Sequence, residues 1–175
     1  MENHGIIIAA ENLDEIHKSL LKILKILPQE IEYDFLKKYM NIKKLRPLKL
    51  SPYKLIKSPK IQQLISPNLF FHLKNNWALF PDHVVFLGEK PFIINDSKEL
   101  DIFLKSNFDP NLIFIKNNGV YYKNEPSKTI KIQLECYFDI VSRQARNVFL
   151  KTLNSSEIQE LVNWELEKYR IKNAK

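Results

Sequence analysis

The side chains best suited to metal or acid–base chemistry are four histidines, and they lie far apart in the sequence: His4, His17, His72 and His83. A catalytic zinc site usually takes three protein ligands and keeps one open position. No His-x-His pair occurs, and the single cysteine, Cys136, offers neither a cysteine cluster nor an internal disulfide. We therefore expect that this chain alone does not complete a metal site.

Asp82 and His83 are the one carboxylate–imidazole pair that stands side by side. Such a couple can exchange protons with a substrate, but neighbouring residues on an extended chain point to opposite sides. Three interpretations stay open. Pro81 and Asp82 form a turn and His83 packs at the mouth of the next strand; His83 faces a ligand; or the pair is catalytic. We keep Asp82 and His83 as candidates to face a ligand.

Composition and charge describe an ordinary globular protein. The 175 residues are 45% hydrophobic and 27% charged, with a net charge of +7. No apolar run approaches the ~18 residues of a membrane span, and no secretory signal is visible, so we expect a cytoplasmic protein without membrane contact. Only four of the 27 basic residues are arginine, which argues against nucleic acid. We expect the lysine-rich stretch 37–60 to be solvated surface, with a small anionic ligand as the alternative.

Three segments organise the chain in our interpretation: 1–40, 41–75 and 76–175. In the first, residues 5–10 predict a buried strand and Asn12 caps a helix that ends at Pro28, with Glu15 completing a capping box. A second helix is predicted over 29–39. Prolines punctuate the middle segment, which we interpret as an ordered connector with helical turns at 60–65 and 68–74.

The third segment alternates between the periodicity of strands and that of helices. We predict strands over 84–87, 92–94, 112–115 and 120–122, with a turn at Asn117-Asn118-Gly119. Helices are predicted from Asp96 or Ser97 to Lys105, from Pro126 through Val148, and from Asn154 to about Arg170. These elements predict an α/β fold: a small mixed sheet flanked by helices, with an N-terminal strand–helix unit.

Three short segments carry a resemblance to the class II aldolase/adducin family. They are Asn76-Trp-Ala-Leu-Phe-Pro-Asp-His-Val-Val-Phe-Leu-Gly88 with Pro91-Phe-Ile-Ile94, Asn3-His4-Gly5-Ile-Ile-Ile-Ala-Ala10, and Asn163-Trp-Glu-Leu-Glu-Lys-Tyr-Arg170. They stand in the order of the family's long members. The first strand–helix unit then resembles the end of the class II aldolase domain, and the rest its C-terminal lobe.

The resemblance implies a divalent metal, commonly zinc, held by three histidines. Two come from a His-x-His pair and the third from the Asn-His-Gly strand, where His4 matches. The metal polarises a carbonyl and stabilises an enediolate, and a carboxylate serves as acid and base. The family region that precedes Asn-His-Gly and holds the other groups has no counterpart in this sequence. We therefore expect no cofactor in this chain alone, and a divalent metal such as zinc if a partner completes the site.

These expectations give a first hypothesis of a class II aldolase/adducin-like protein that is inactive alone: structural, regulatory or one piece of a split enzyme. The alternatives are a metal-dependent aldolase of a small sugar phosphate, completed by another chain, and a basic nucleic-acid-binding module. We expect a homo-oligomer or a complex with the polypeptide that carries the other aldolase half, formed through residues 5–27. In the competing hypothesis, a similar strand–helix unit at 117–150 covers the first one within a monomer.

Overall fold

A four-stranded mixed sheet lies at the centre of the protein. The computed structural model describes residues 6–26, 48–145 and 147–173. The strands are β1 (Tyr53–Leu55), β2 (Phe92–Ile94), β3 (Leu112–Ile115) and β4 (Gly119–Lys123). Their order in the sheet is β1-β4-β3-β2; β2 and β3 are parallel, and the other two pairs are antiparallel. The predicted α/β class with a small mixed sheet flanked by helices is confirmed.

Several of the described helices begin at short polar side chains that accept the first free backbone N–H groups. Asp96 and Asn154 each cap a helix, and Asn154 does so in a capping box with Glu157. At the N-terminal helix, Asn12 accepts from the backbone of Glu15 at 3.0 Å, as predicted. The helices are α1 (Leu13–Ile26), α2 (Pro59–Gln62) with a 3₁₀ turn (Gln63–Ile65), α3 (Phe70–Asn75), α4 (Pro81–Leu87), α5 (Ser97–Lys105), α6 (Lys128–Val141), α7 (Ser155–Asn163) and α8 (Glu165–Asn173).

The sheet is covered on both faces, because alternate residues of a strand point to opposite sides. Leu112 and Phe114 join the larger core, to which α2, α3, α4 and α6 contribute. Ile113 and Ile115 join a smaller core with Phe103 of α5. All four residues of β3 are buried, which explains why this strand reads as a continuous apolar run.

Gln62 lies in helix α2 and forms side-chain hydrogen bonds to the backbone of the sheet. Its side-chain nitrogen donates to the carbonyl oxygens of Ile56 at 2.7 Å and Val120 at 3.1 Å. Its side-chain oxygen accepts from the N–H of Val120 at 2.8 Å. Gln62 is 4% exposed, so these bonds satisfy polar groups that water cannot reach. The described part of the connector, 48–75, thus supplies strand β1 and the polar contact that ties α2 to β4.

The strand predicted over 84–87 is wrong, because these residues belong to helix α4. Phe80 is extended and Pro81 occupies the first turn, where its fixed φ and missing N–H suit a helix start. Gly88 ends the helix with a φ of 91°. A four-residue apolar run fits a buried strand and a buried helix equally well. Here the tertiary environment selects the helix, which lies between α6 and α7.

Other boundaries also differ from the predictions. Residues 6–10 form no strand, while Gly5 and the helix predicted over 29–39 lie outside the described residues. The helix predicted through Val148 ends at Val141, and the last predicted helix is divided at Trp164 into α7 and α8. Among the residues that the structure describes, no helix has the length and apolarity needed to cross a membrane.

Candidate functional site

His83 is fully buried and enclosed by aromatic rings. Its ring centroid lies 4.2 Å from that of Trp77, 4.9 Å from Tyr137 and 5.5 Å from Phe80, each in an edge-to-face arrangement. Neither ring nitrogen has a hydrogen-bond partner, and the hydroxyl of Tyr137 is also buried without one. The imidazole therefore meets each of these rings nearly at right angles, an arrangement that aromatic pairs favour.

This environment keeps the imidazole neutral. A proton on His83 would place a charge in apolar surroundings without a compensating partner, so burial lowers its pKa to about 3. At neutral pH the ring behaves as a flat aromatic side chain that fills the space between α4 and α6. Of the three interpretations of the Asp-His pair, the packing of His83 agrees with this geometry, but residues 81–87 form helix α4 and not a turn followed by a strand.

Asp82 points away from the histidine and into a surface cluster with α8. Its carboxylate accepts from Arg170 at 2.9 Å, and the same guanidinium bonds both oxygens of Glu167 at 2.9 Å. The guanidinium carbon also lies 5.4 Å from the ring centre of Phe86. The hydrogen bond that Arg170 donates to Asp82 raises the pKa of Arg170. Asp82 and His83 are therefore not brought together as an acid–base couple.

His72 has a hydrogen-bond partner, Asn76, that was not predicted from the sequence. The side-chain nitrogen of Asn76 donates to its Nδ1 at 2.6 Å and to the carbonyl of Val148 at 2.7 Å. The Asn76 oxygen accepts from the N–H of Leu150 at 2.9 Å. Burial lowers the pKa of His72, and a hydrogen bond to the backbone of Ala145 opposes that shift. The spacing of four residues between His72 and Asn76 is the local signal that predicts such a pair.

The described histidines do not converge. His17 is exposed on α1, His72 and His83 lie in separate buried environments, and His4, the residue matched to a metal ligand, lies outside the described residues. Within residues 6–26, 48–145 and 147–173, no three His, Cys, Asp or Glu side chains come together in a group able to hold a metal ion.

A cleft of about 760 Å³ opens at one end of the sheet, beside the start of α6. Aromatic side chains of Phe92, Phe108 and Tyr122 line it together with the amides of Asn111 and Asn124. Of the three charged residues in its lining, Lys123 pairs with Asp109 and Glu125 with Lys131, and the third is Lys90. The lining favours stacking and amide hydrogen bonds over recognition of a highly charged ligand.

Helix α1 presents an apolar surface to solvent. No residue of α1 is buried, and Leu13, Leu20, Leu21 and Leu24 all count among the exposed large hydrophobic residues. Ile6 and Ile7, in the extended segment before the helix, are exposed as well. Exposed apolar patches of this kind mark surfaces for association. We call Leu13, Leu20, Leu21 and Leu24 the leucine surface.

The arrangement of the described residues therefore offers a buried aromatic histidine, a surface ion-pair cluster, a cleft beside the start of α6 and an apolar association surface. Comparison of the chain with protein-family models, with curated proteins and with solved structures finds no match.

Proposed function

We propose that this chain is a class II aldolase/adducin-like protein that is inactive alone and acts by associating with another polypeptide through α1. The observation that carries the proposal is the exposure of the surface around α1. Ile7 is 75% exposed and Leu20 is 41% exposed. A monomer in which a second strand–helix unit covers the first would bury both residues, so their exposure supports intermolecular association instead.

The segments of the family resemblance support the same proposal. Residues 76–88 and 163–170 meet in space, because Asp82 of the first bonds Arg170 of the second at 2.9 Å. Arg170 is also held by Glu167. These polar groups therefore serve packing between α4 and α8 rather than a substrate. The C-terminal lobe, residues 76–175, then has a structural role. Any catalytic groups that the function requires come from a partner.

Metal analysis of the purified chain tests the inactive assignment. After exposure to zinc and gel filtration, we expect well under one zinc per chain by elemental analysis. His4→Ala and the matched control His17→Ala should leave that content unchanged. One zinc per chain that is lost in His4→Ala and kept in His17→Ala would instead support a metal-dependent aldolase completed by an adjacent chain.

Co-expression tests the association. The probe is a polypeptide that carries a His-x-His pair and an acidic residue, encoded by the reading frame immediately upstream where one exists. We expect this chain to co-purify either with that polypeptide or with a second copy of itself. A chain that stays monomeric in both settings would reject the proposed function.

A further inference from the structure

The leucine surface has a midpoint along the axis of α1 and a boundary around the helix. An α-helix turns once in about 3.6 residues, so Leu13, Leu20, Leu21 and Leu24 lie on one side of α1. Their midpoint falls between Ser19 and Leu20. Leu13 is 82% exposed and Leu21 is 45% exposed, whereas Ile16 and Ile23 on the neighbouring side are partly covered. The surface available for docking is thus the leucine side.

Charges are distributed unevenly along this helix. Asp14 and Glu15 stand in the first turn, and Lys25 stands in the last. Asp14 and Lys25 lie equally far from the midpoint of the leucine surface. They are also about three turns apart, so both lie along the same edge of that surface. This placement suits the dipole of the helix itself, and it also makes the surface complementary to a copy of itself that runs in the opposite direction.

We infer that α1 pairs with α1 of a second copy of this chain, antiparallel, about a two-fold axis that passes between Ser19 and Leu20. The leucine surfaces face each other across that axis. Asp14 of each copy lies opposite Lys25 of the other, because antiparallel helices bring the same edge of each together. The interface is isologous, as in most homodimers. The inference rests on the association proposed above and names its occupant.

The size of the interface predicts a reversible dimer. Helix α1 has 14 residues and is roughly 21 Å long at about 1.5 Å per residue. One helix pair of that length buries less than the ~1,200 Å² at which stable interfaces begin. We therefore expect full-length chain to shift between monomer and dimer with concentration when followed by analytical ultracentrifugation.

Charge exchange tests the direction of pairing. Asp14→Lys and Lys25→Asp should each raise the dissociation constant about three- to tenfold, since each places two like-charged pairs across the axis. The double variant Asp14→Lys/Lys25→Asp should return to within about twofold of the wild-type constant. Its charges oppose the helix dipole at both ends, so a mere effect on helix content would make the double variant the weakest of the three. Circular dichroism reports that content in each sample.

Substitutions on the surface test its location. Leu20→Glu and Leu21→Glu should each weaken the dimer at least about thirtyfold, because each buries two carboxylates against leucine. Lys22→Glu, on the opposite side of α1, is the matched control and should change the constant less than about threefold. A dimer that survives Leu20→Glu, or single charge variants without effect, would overturn the inference. A chain that is monomeric alone but binds the His-x-His polypeptide would also overturn it and leave the proposed function standing; failure of both interactions would reject both.

Discussion

The side chains of Asn76 and His83 are both buried, but the protein compensates them differently for the loss of water. Asn76 is completely buried and uses its amide to bond His72, Val148 and Leu150. His83 is equally buried and bonds none of its neighbours. Substitution of Asn76 would break its hydrogen bonds and so lower the stability of the fold. At His83, by contrast, protonation of the ring would lower the stability, because its surroundings are apolar. The two residues should therefore respond to different tests.

His83 should make the protein sensitive to acid. An unfolded chain binds a proton at this residue near pH 6.5, and the folded chain does so near pH 3. Between these values the unfolded state holds more protons, so stability is fully present above pH 6.5 and falls as the pH is lowered towards 3. The loss should reach roughly 3–5 kcal/mol. His83→Leu should flatten this part of the curve in urea denaturation measured from pH 7 to 4.

The control for this experiment is Asn75→Ala, at an exposed residue without a titratable group. It should keep the acid dependence of the wild type. His72 is buried too and its pKa is lowered, so some dependence should remain in His83→Leu. A curve for His83→Leu that coincides with that of the wild type would contradict the assignment of the acid response to the aromatic enclosure.

Asn76→Ala should destabilise the fold by about 2–4 kcal/mol, because it removes three hydrogen bonds of a fully buried amide and leaves Nδ1 of the buried His72 without this partner. Chemical denaturation at neutral pH measures the change. The matched control is the adjacent Asn75→Ala. Asn75 is exposed and bonds only the carbonyl of Phe71, at 2.8 Å, among the bonds described for it, so we expect a loss within about 0.5 kcal/mol. Equal losses in the two variants would refute the special role of Asn76.

At the scale of secondary-structure elements, the sequence predicted the elements whose ends carry capping or turn residues. Asp96, Asn154 and the Asn-Asn-Gly turn fix boundaries because short polar side chains and glycine act on the nearby backbone. The prediction failed for α4, because its apolar run is too short to show the periodicity of either a helix or a strand. It also missed the contact of α4 with α8, since 88 residues separate Asp82 from Arg170. Long-range pairs of this kind leave no local pattern.

The Asp82–Arg170 contact should hold α8 against α4 without adding much to global stability. Both side chains are nearly half exposed, and exposed ion pairs contribute about 0–1 kcal/mol. Arg170→Ala removes the bonds to Asp82 and Glu167 and the contact with Phe86, so it should accelerate amide exchange in 165–173 more than Asp82→Ala does. Glu125→Ala, which breaks an exposed pair with Lys131, is the control. Hydrogen–deuterium exchange that stays unchanged in 165–173 for Arg170→Ala would contradict this role.

At the scale of the whole molecule, composition and alternating periodicities were sufficient to predict the α/β class and the mixed sheet. They were insufficient for the candidate site. The surface of α1 was predictable from its apolar spacing, because an amphipathic helix shows its apolar side in the sequence. That Asp82 lies at the surface and His83 in the core depended on how α4 packs. His4, central to the family resemblance, lies outside the described residues.

Gln62 also constrains how β4 can align with α2 and with the residue that follows β1, Ile56. Its amide bonds both the N–H and the carbonyl of Val120, so one particular residue of β4 must lie opposite it. A shift of β4 by one residue would exchange the side chains of the two cores. A shift by two would keep the cores but remove Val120 from the amide and leave buried polar groups unpaired. A single side chain from a helix thereby selects one register among alignments that hydrophobic burial alone would barely distinguish.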